Sequence, residues 1–423
     1  MQITTIEDAM KFIYRTSWKG SQLGLSRIKE LMELLGNPQR RMKFVHISGT
    51  NGKGSTAAML ASILSEAGYK TGLYTSPPLH RFEERIRIDG KLIAESELVT
   101  LANHFQQYVN KMQDPPTEFE VITAMALYYF HEMQCDIVAL EVGMGGRLDA
   151  TGVIGTPEVA VITSIDLDHT AELGDTVEKI AGEEAGIIKS NGVVVCHPQI
   201  ETVKQVIRMK CKEQSGRVTF VDNDAIKAIA QSLECQSFEY CGIKNLSIPL
   251  LGSHQLYNAA AVIETVHALR ERGWNISDNA LRNGFKKTSW PGRFEIVKHS
   301  PVFIVDSAHN PQAVESAVDT LCMLFPKKKF LFLFGVLADK DYQTMFDILI
   351  LHASRFITVT PDNPRGLQAD KLNFERCIVP IDTCESVEQG VRFAIESSDE
   401  DDIICSLGSL SMVGQVREYL LSL

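Results

Sequence analysis

Short apolar runs alternate with longer stretches of helical spacing through the first half of the chain. Each run has the length of a buried strand and is bounded by turn residues. The predicted strands are Lys43–Ser48, Lys70–Thr75, Asp136–Val142, Val159–Ile165 and Val193–Cys196. The predicted helices are Ser55–Ala67, Thr123–Gln134 and Thr176–Ile188. This alternation predicts a doubly wound, mostly parallel sheet, in which ligands gather at the carboxyl ends of the strands.

The pattern weakens between residues 220 and 250, where it indicates short strands. Gly252–Arg270 then has helical spacing, and Trp290–Arg293 is typical of a turn at a domain junction. A second alternation follows, with strands predicted at Pro301–Val305, Phe330–Phe334, Arg355–Thr360 and Ile403–Ser406 and helices at Gln312–Phe325 and Ser411–Leu421. We therefore predict an α/β protein with a P-loop-type, mostly parallel sheet domain (residues 1–293) followed by a smaller Rossmann-like α/β domain (residues 294–423).

The first predicted βα turn carries the strongest chemical signal. Gly49–Ser55 reads Gly-Thr-Asn-Gly-Lys-Gly-Ser, and such a loop lets backbone N–H groups and a lysine surround nucleotide phosphates. It departs from the strict P-loop rule, because Gly54 stands where a magnesium-binding hydroxyl follows the lysine. If the loop binds ATP, magnesium therefore needs other ligands. The alternative is a glycine-rich turn that binds nothing.

Polar residues follow several other predicted strands. Glu141 ends one strand and His169 follows the next, so both are candidates for magnesium or catalysis. The alternatives are a capping or salt-bridged acid and a structural histidine. In the second domain Asp306–Pro311 and Ser406–Ser409 close two strands in the same way, and they gather an acid, an imidazole and hydroxyls.

Composition narrows the class of protein. A net charge of −11 over 423 residues argues against a general nucleic-acid binder. Nine scattered cysteines without a Cys-x-x-Cys pair indicate reduced thiols. Met1–Tyr14 contains no apolar signal segment, and no apolar run approaches the ~18 residues of a membrane span. These features predict a cytoplasmic protein that does not associate with membranes.

Several stretches, read in order, carry a family resemblance. They are the phosphate loop, Thr75–Pro77 with Phe82–Ile86, Gly143–Thr151, Ile162–Ser164 with Asp168–His169, Ile180–Lys189, Gly252–Gln255 with Asn258–Ala259, Pro291–Arg293, Asp306–Pro311 and Gly408–Leu410. Together they resemble the folylpolyglutamate synthase and dihydrofolate synthase family, within the Mur ligase superfamily. The resemblance implies a monomeric, ATP- and magnesium-dependent ligase that joins L-glutamate to a folate or dihydropteroate carboxylate through an acyl phosphate.

The resemblance also implies roles for individual residues. The ATP-binding residues would be Gly49, Thr50, Asn51, Gly52, Lys53, Gly54, Ser55, Asn258, Arg293 and Asp306. The magnesium ligands would be Ser76, Glu141 and His169, and the catalytic groups Lys53, His169 and Glu184. Arg81, Phe119 and Glu120 would lie on the pterin side, and His309 and Ser409 near the incoming glutamate.

The chain departs from the family pattern at four positions. Pro78, Glu83 and Gly152 replace a histidine and two asparagines that are usual in the family. Glu184 replaces a lysine that is commonly carbamylated and whose carbamate positions a magnesium ion. We hypothesise that the Glu184 carboxylate supplies this negative charge without modification. The alternative is that Glu184 is a surface acid and that this metal site is weak or absent.

Two other functions stay open at this point. A peptidoglycan-precursor ligase of the same superfamily would carry an additional N-terminal domain, for which the 48 residues before Gly49 are too few. A nucleotide-binding regulator without turnover would not need polar strand ends in both domains. The sequence leaves open whether the substrate is dihydropteroate, a reduced folate or both.

Overall fold

The computed structural model describes residues 3–20, 22–372 and 379–423, which form two compact units. The first unit comprises Met1–Pro78, Phe82–Ile226 and Tyr257–Lys287, and the second comprises Leu79–Arg81, Lys227–Leu256 and Thr288–Leu423. The second unit thus includes Leu79–Arg81 and Lys227–Leu256, which both lie before residue 293 in the sequence. The division of the chain at residue 293 stays a prediction.

The first unit is built on one eight-stranded sheet. Its strands are β1 (Phe44–Ser48), β2 (Thr71–Tyr74), β3 (Ile86–Ile88), β4 (Lys91–Leu92), β5 (Ile137–Glu141), β6 (Val159–Ile162), β7 (Val193–Cys196) and β8 (Arg217–Phe220). Their order is β4-β3-β2-β5-β1-β6-β7-β8, and only the pairings of β3 with β2 and β4 are antiparallel. Every residue of β1, β5 and β6 is buried, because helices cover both faces of a parallel sheet.

Ten helices accompany this sheet in the described residues. They are α1 (Ile6–Tyr14), α2 (Ser26–Leu34), α3 (Lys53–Glu66), α4 (Glu95–Val109), α5 (Glu118–Glu132), α6 (Thr170–Leu173), α7 (Val177–Glu184), α8 (Glu201–Glu213), α9 (Ser253–Glu271), which continues from the second unit, and α10 (Asp278–Lys287). One apolar cluster contains residues of α1, α2, α4 and α5 together with Val138 and Leu140 of β5. Another contains residues of α7 and α8 together with Ile162 of β6 and Val194 of β7.

The second unit contains two sheets. The smaller has the order β11-β10-β9, with strands β9 (Ile226–Gln231), β10 (Gln236–Tyr240) and β11 (Ile243–Ile248). The larger has the order β12-β13-β17-β14-β15-β16, with strands β12 (Glu295–His299), β13 (Val302–Val305), β14 (Phe330–Phe334), β15 (Ala353–Thr358), β16 (Ile381–Thr383) and β17 (Ile403–Leu407). Its helices are α11 (Pro311–Leu324), α12 (Tyr342–Ile350), α13 (Val387–Glu396) and α14 (Leu410–Ser422). Strand β12 is antiparallel to β13.

Short 3₁₀ helices complete the two units. They lie at Ser17–Lys19, Pro38–Arg41, Phe82–Arg85, Ala150–Val153, Ala185–Ile187, Asn223–Ala225 and Ala369–Leu372. In the described residues no helix is long and apolar enough to cross a membrane. The eight cysteines within the described ranges are free, and Cys377 lies outside those ranges.

The predicted fold class is confirmed. The differences include the ends of two elements and a strand that was not predicted. The strand predicted at Val159–Ile165 ends at Ile162. Thr163 still donates to the Ser48 carbonyl of β1, but the Ser164 carbonyl accepts from the phosphate loop instead of continuing the strand. The helix predicted from Thr123 begins at Glu118, because Thr117 and Glu120 form a reciprocal capping box. Strand β12 escaped prediction because its residues are only half-buried and carry no continuous apolar run.

Helix α3, which starts at the phosphate loop, packs closely against α10. We expect one added methyl group at this contact to lower the stability of the protein. A Cβ added at Gly284 in α10 would lie 2.4 Å from the Ile63 Cα. We expect Gly284→Ala to lower the free energy of unfolding by about 1–3 kcal/mol, because backbone cannot yield as a side chain can. Urea denaturation measures this change.

Gly182 provides the control for this substitution. It also lies in a helix, and an added Cβ would meet nothing within 4 Å. We expect Gly182→Ala to be neutral or to stabilise by about 0.5–1 kcal/mol, because alanine loses less backbone entropy than glycine in a helix. Equal effects of the two substitutions would contradict the close-contact interpretation.

Candidate active site

The phosphate loop adopts a conformation that glycine alone permits at two positions. Gly49 and Gly52 have φ values of 126° and 91°, which side-chain-bearing residues rarely adopt. A Cβ at Gly49 would lie 2.3 Å from the Thr163 Oγ1, and one at Gly52 would lie 2.5 Å from the Asn258 Oδ1. The loop is therefore packed directly against the end of β6 and the start of α9.

Lys53 is the first residue of α3, and its ammonium folds back over the loop. The Nζ donates to the carbonyl oxygens of Gly49 at 2.6 Å and of Thr50 at 3.1 Å. The N-terminus of the 14-residue helix α3 adds partial positive charge at the same place. A lysine charge, a helix N-terminus and a glycine backbone together suit an anionic phosphate chain.

Glu184 lies at this loop and not on the surface. Glu184 is only 3% exposed, and its Oε2 accepts the Gly49 N–H at 3.2 Å. Burial raises the pKa of Glu184, and the Lys53 charge and the N–H groups of Gly49 and Gly145 oppose that rise. The interpretation of Glu184 as a surface acid is therefore wrong. Its carboxylate joins the phosphate loop to the glycine turn after β5.

Two of the three predicted magnesium ligands, Glu141 and Ser76, are in direct contact. Glu141 is the buried last residue of β5, and its Oε2 accepts the Ser76 N–H at 3.2 Å, just after the neighbouring strand β2. His169 is exposed, has a left-handed backbone at φ 49° and precedes the short helix α6. Among the described residues, no group of three or more His, Cys, Asp and Glu side chains is arranged to hold a metal ion. The magnesium ligand set stays a prediction.

A buried polar chain behind the loop was missed from the sequence. Asp149 accepts the N–H groups of Gly143 and Met144 on one oxygen, at 3.2 and 3.1 Å, and the N–H and hydroxyl of Thr151 on the other. The His46 Nε2 lies 2.8 Å from the Thr151 Oγ1 and donates to it, since that hydroxyl already donates to Asp149. Asp149 thus fixes the glycine turn that follows Glu141. The role of His46 was not predicted, because a single polar residue within an apolar strand is common.

The residues predicted on the pterin side differ in their surroundings. The Glu120 Oε2 accepts the Thr117 N–H at 2.7 Å and the Arg27 Nε at 2.8 Å, so this oxygen takes part in the capping box and an ion pair. A Cβ at Gly143 would lie 2.5 Å from the Phe119 Cζ, which places this ring against the glycine turn. Arg81 is exposed and belongs to the second unit, and its role on the pterin side stays a prediction.

The second unit brings two distant motifs to one sheet edge. Strands β13 and β17 are parallel neighbours, with Val305 opposite Ser406, so the residues that follow both strands lie together. The Gly408 N–H donates to the Ala308 carbonyl at 2.8 Å and ties the two turns. His309 and Ser409 therefore share this edge.

Asp306 organises the same edge. Its oxygens accept the N–H groups of Phe294 and Ala308, both at 2.7 Å. Burial raises the pKa of Asp306, and the Arg293 charge and these two hydrogen bonds oppose the rise. The predicted nucleotide contacts Arg293 and Asp306 are thus electrostatic neighbours within this unit, whereas the predicted contact Asn258 lies in the first unit.

Comparison with known proteins covers both parts of the chain. The Mur ligase middle domain family matches residues 47–266, and the Mur ligase glutamate ligase domain family matches residues 292–410. Dihydrofolate synthase/folylpolyglutamate synthase of Bacillus subtilis is 36% identical over 431 residues, which cover 99% of each chain. The chain belongs to the folylpolyglutamate synthase/dihydrofolate synthase family. The resemblance drawn from the motifs is confirmed.

Solved structures of this family have the same fold over the whole chain. The structure of Escherichia coli FolC in complex with DHPP and ADP is 31% identical, has a TM-score of 0.89 and is matched over 100% of this chain and 99% of its own. A bifunctional folylpolyglutamate synthase/dihydrofolate synthase with Mn, AMPPNP and L-glutamate bound has a TM-score of 0.87 at 31% identity, with coverage of 100% and 99%. These likenesses confirm the fold and the family, while the roles of single residues stay predictions.

The buried His46 makes a testable contribution to acid stability in this family member. Burial, followed by the Lys189 charge, lowers the pKa of His46 from 6.5 to about 3. Below pH 6.5 the unfolded chain therefore binds a proton that the folded chain excludes. This group makes stability fall as the pH drops from about 6.5 to about 3, by up to about 1.4 kcal/mol per pH unit, and leaves it unchanged above that range.

We expect His46→Gln to make this acid loss of stability shallower. The glutamine amide can still donate to Thr151 but does not titrate, so the variant lacks this proton linkage. The measurement is the free energy of unfolding in urea at a series of pH values. Some slope remains, because burial also lowers the pKa of His197, to about 4. His299→Gln, at an exposed residue of β12, is the control, and a slope unchanged by His46→Gln would contradict the expectation.

Proposed function

We propose that this protein is an ATP-dependent ligase that adds L-glutamate to the carboxylate of dihydropteroate, of a reduced folate, or of both. The observation that carries the proposal is the phosphate loop at Gly49–Ser55. In this loop the Lys53 ammonium donates to the Gly49 carbonyl, and the Glu184 carboxylate accepts the Gly49 N–H. It occurs in a chain that a dihydrofolate synthase/folylpolyglutamate synthase matches over 99% of its length.

The proposed reaction has two chemical steps. A carboxylate oxygen of the pteroate or folate substrate attacks the γ-phosphorus of ATP. An oxygen–phosphorus bond forms, the bond from the γ-phosphorus to the β–γ bridging oxygen breaks, and ADP leaves. The amine of glutamate then attacks the acyl carbon of the resulting acyl phosphate, inorganic phosphate leaves, and the amine loses a proton. Lys53 and the N-terminus of α3 offset the charge that spreads over the transferring phosphoryl group. Most of the catalysis is positioning, because the protein forms no covalent bond itself.

Ser76, Glu141 and His169 would hold magnesium. Hydroxyl and carboxylate oxygens are ligands that this ion prefers, and the contact between the Glu141 Oε2 and the Ser76 N–H supports a shared role. When bound, magnesium would neutralise phosphate charge beside Lys53. The hydroxyl that Gly54 lacks would thus come from Ser76, which follows β2, two places from β1 in the sheet.

Glu184 would take the place of the carbamylated lysine of the family. A carbamate is a carboxylate-like anion at the end of a lysine, and glutamate supplies a carboxylate without modification. Two observations support this role: the Glu184 carboxylate is buried, and Lys53 is the strongest charge that favours its ionised form. Lys53, His169 and Glu184 are therefore the proposed catalytic groups.

The remaining contacts follow the family pattern. Asn258, Arg293 and Asp306 would contact the nucleotide, His309 and Ser409 the incoming glutamate, and Arg81, Phe119 and Glu120 the pterin side. We further propose a cytoplasmic monomer that binds neither nucleic acid nor membranes, divided near residue 293 into an ATP-binding Mur-ligase-like central domain and a glutamate-binding domain. The net charge of −11 and the free cysteines support the cellular part of this proposal.

The function is tested by product analysis. Purified protein is offered dihydropteroate and tetrahydrofolate separately, each with ATP, magnesium and glutamate, and products are weighed by mass spectrometry. We expect a mass increase of one or more glutamyl residues with at least one substrate, together with ADP release that depends on it. ADP release that does not depend on either substrate would favour a regulator, and turnover only with a peptidoglycan precursor would favour the related ligase.

We expect Glu184→Gln to lower turnover by about 10- to 100-fold and to change its magnesium dependence, the range typical for residues that position a metal. Thermal stability should not fall, because burial raises the pKa of Glu184 and the ionised form is therefore held at a cost to folding. Steady-state kinetics over a magnesium series and melting curves of both proteins at the same pH measure the two effects.

The adjacent Glu183 provides a matched control. Its carboxylate pairs with Arg147 at 2.8 Å, away from the phosphate loop. We expect Glu183→Gln to change turnover by no more than about twofold, because a partly exposed ion pair contributes little. Full turnover and unchanged magnesium dependence in Glu184→Gln would refute the proposed substitution for the carbamate.

A further inference from the structure

The phosphate loop is supported by a second layer, the segment of residues 163–166 that follows β6. The Ser164 carbonyl accepts the N–H groups of Thr50 at 2.7 Å and of Asn51 at 3.2 Å. The Thr50 hydroxyl bonds to the N–H and the carbonyl of Asp166, both at 3.0 Å. This segment therefore helps to orient Thr50 and Asn51 of the loop.

Gln199 holds this segment. It lies three residues after the end of β7, outside every motif that carries the family resemblance. Its Nε2 donates to the Thr163 carbonyl at 2.7 Å, and its Oε1 accepts the Ile165 N–H at 3.4 Å. One side-chain amide thus uses both of its ends on the two peptide groups that flank Ser164.

The second of these bonds acts on the peptide group that supports the loop. The N–H of Ile165 and the carbonyl of Ser164 belong to one rigid peptide plane. Gln199 accepts from the N–H side of this plane while Thr50 and Asn51 donate to its carbonyl side. Such a chain of hydrogen bonds polarises each member and resists rotation of the plane. Without Gln199, the plane can rotate and the loop loses its fixed N–H directions.

We propose that Gln199 is a positioning residue for nucleotide binding, acting through the Ser164–Ile165 peptide on the phosphate loop. The role of the loop in binding ATP rests on the proposed function. Gln199 itself does not touch the nucleotide. Its loss should therefore weaken nucleotide binding, which uses the loop, without altering the binding of glutamate.

The test is Gln199→Met, which keeps the length of the side chain and removes its amide. We expect the KM for ATP and the Kd for ADP to rise about 5- to 30-fold, the loss that one or two hydrogen bonds produce. The kcat and the KM for glutamate should stay within about twofold of the wild type. A nucleotide affinity that does not change would overturn the proposal.

Gln214→Met is the matched control. The Gln214 Oε1 accepts the Ser190 hydroxyl at 3.3 Å, so this variant also loses a side-chain amide bond but not one at the phosphate loop. We expect its ATP and ADP affinities to match the wild type. If both variants weaken nucleotide binding equally, Gln199 has only a general structural role and the proposal fails.

A second measurement separates this proposal from the proposed function. Hydrogen–deuterium exchange of the 49–55 segment, recorded without any substrate, should be faster in Gln199→Met than in the wild type and in Gln214→Met. This result would stand even if the protein turned over no pteroate, whereas unchanged exchange would overturn it. Should Gln199→Met not fold, Gln199→Lys carries the same test, because it keeps a donor for the Thr163 carbonyl and lacks the oxygen that accepts from the Ile165 N–H.

Discussion

The absence of space around the phosphate loop is the constraint on which the rest of the site depends. Added Cβ atoms at Gly49 and Gly52 would lie 2.3 and 2.5 Å from neighbouring side-chain oxygens, so the loop can only form with glycine and only against these neighbours. Close approach lets its N–H groups be held by fixed acceptors, the Ser164 carbonyl and the Glu184 carboxylate. The ends of β1, β5 and β6 are consequently tied into one arrangement.

Buried carboxylates provide most of these ties. Asp149 holds the turn after Glu141, Glu184 joins that turn to the phosphate loop, and Asp306 holds the corresponding edge of the second unit. Burial raises the pKa of all three, so each anion is retained against a desolvation cost. The Lys53 charge favours the anion of Glu184, the Arg293 charge that of Asp306 and the Thr151 hydroxyl that of Asp149, each together with backbone N–H groups. Oxygens fixed in this way are pre-organised, which suits a reaction in which the protein mainly positions charge.

Sequence reasoning went furthest where chemistry and local backbone coincide. The loop at Gly49–Ser55 was identified because its spacing of glycines and lysine is typical of a phosphate-binding loop. Glu141 and His309 were identified because ligands bind at the carboxyl ends of the strands in a parallel sheet. Glu184 was singled out as a departure from the family pattern, but its burial was not predictable, because helix α7 could have faced solvent. Gln199 and His46 carried no signal, since a single polar residue after or within an apolar run is ordinary.

The sequence by itself determined the alternation of strands and helices, the phosphate loop and the family, because these depend on periodicity and on motifs within a few residues. Tertiary structure alone decided which strand ends are neighbours. The order β2-β5-β1-β6-β7 brings Ser76 to Glu141, and the pairing of β13 with β17 brings His309 to the edge that carries Ser409. Such contacts join residues far apart in the chain, and only the packing of the sheets sets their distances.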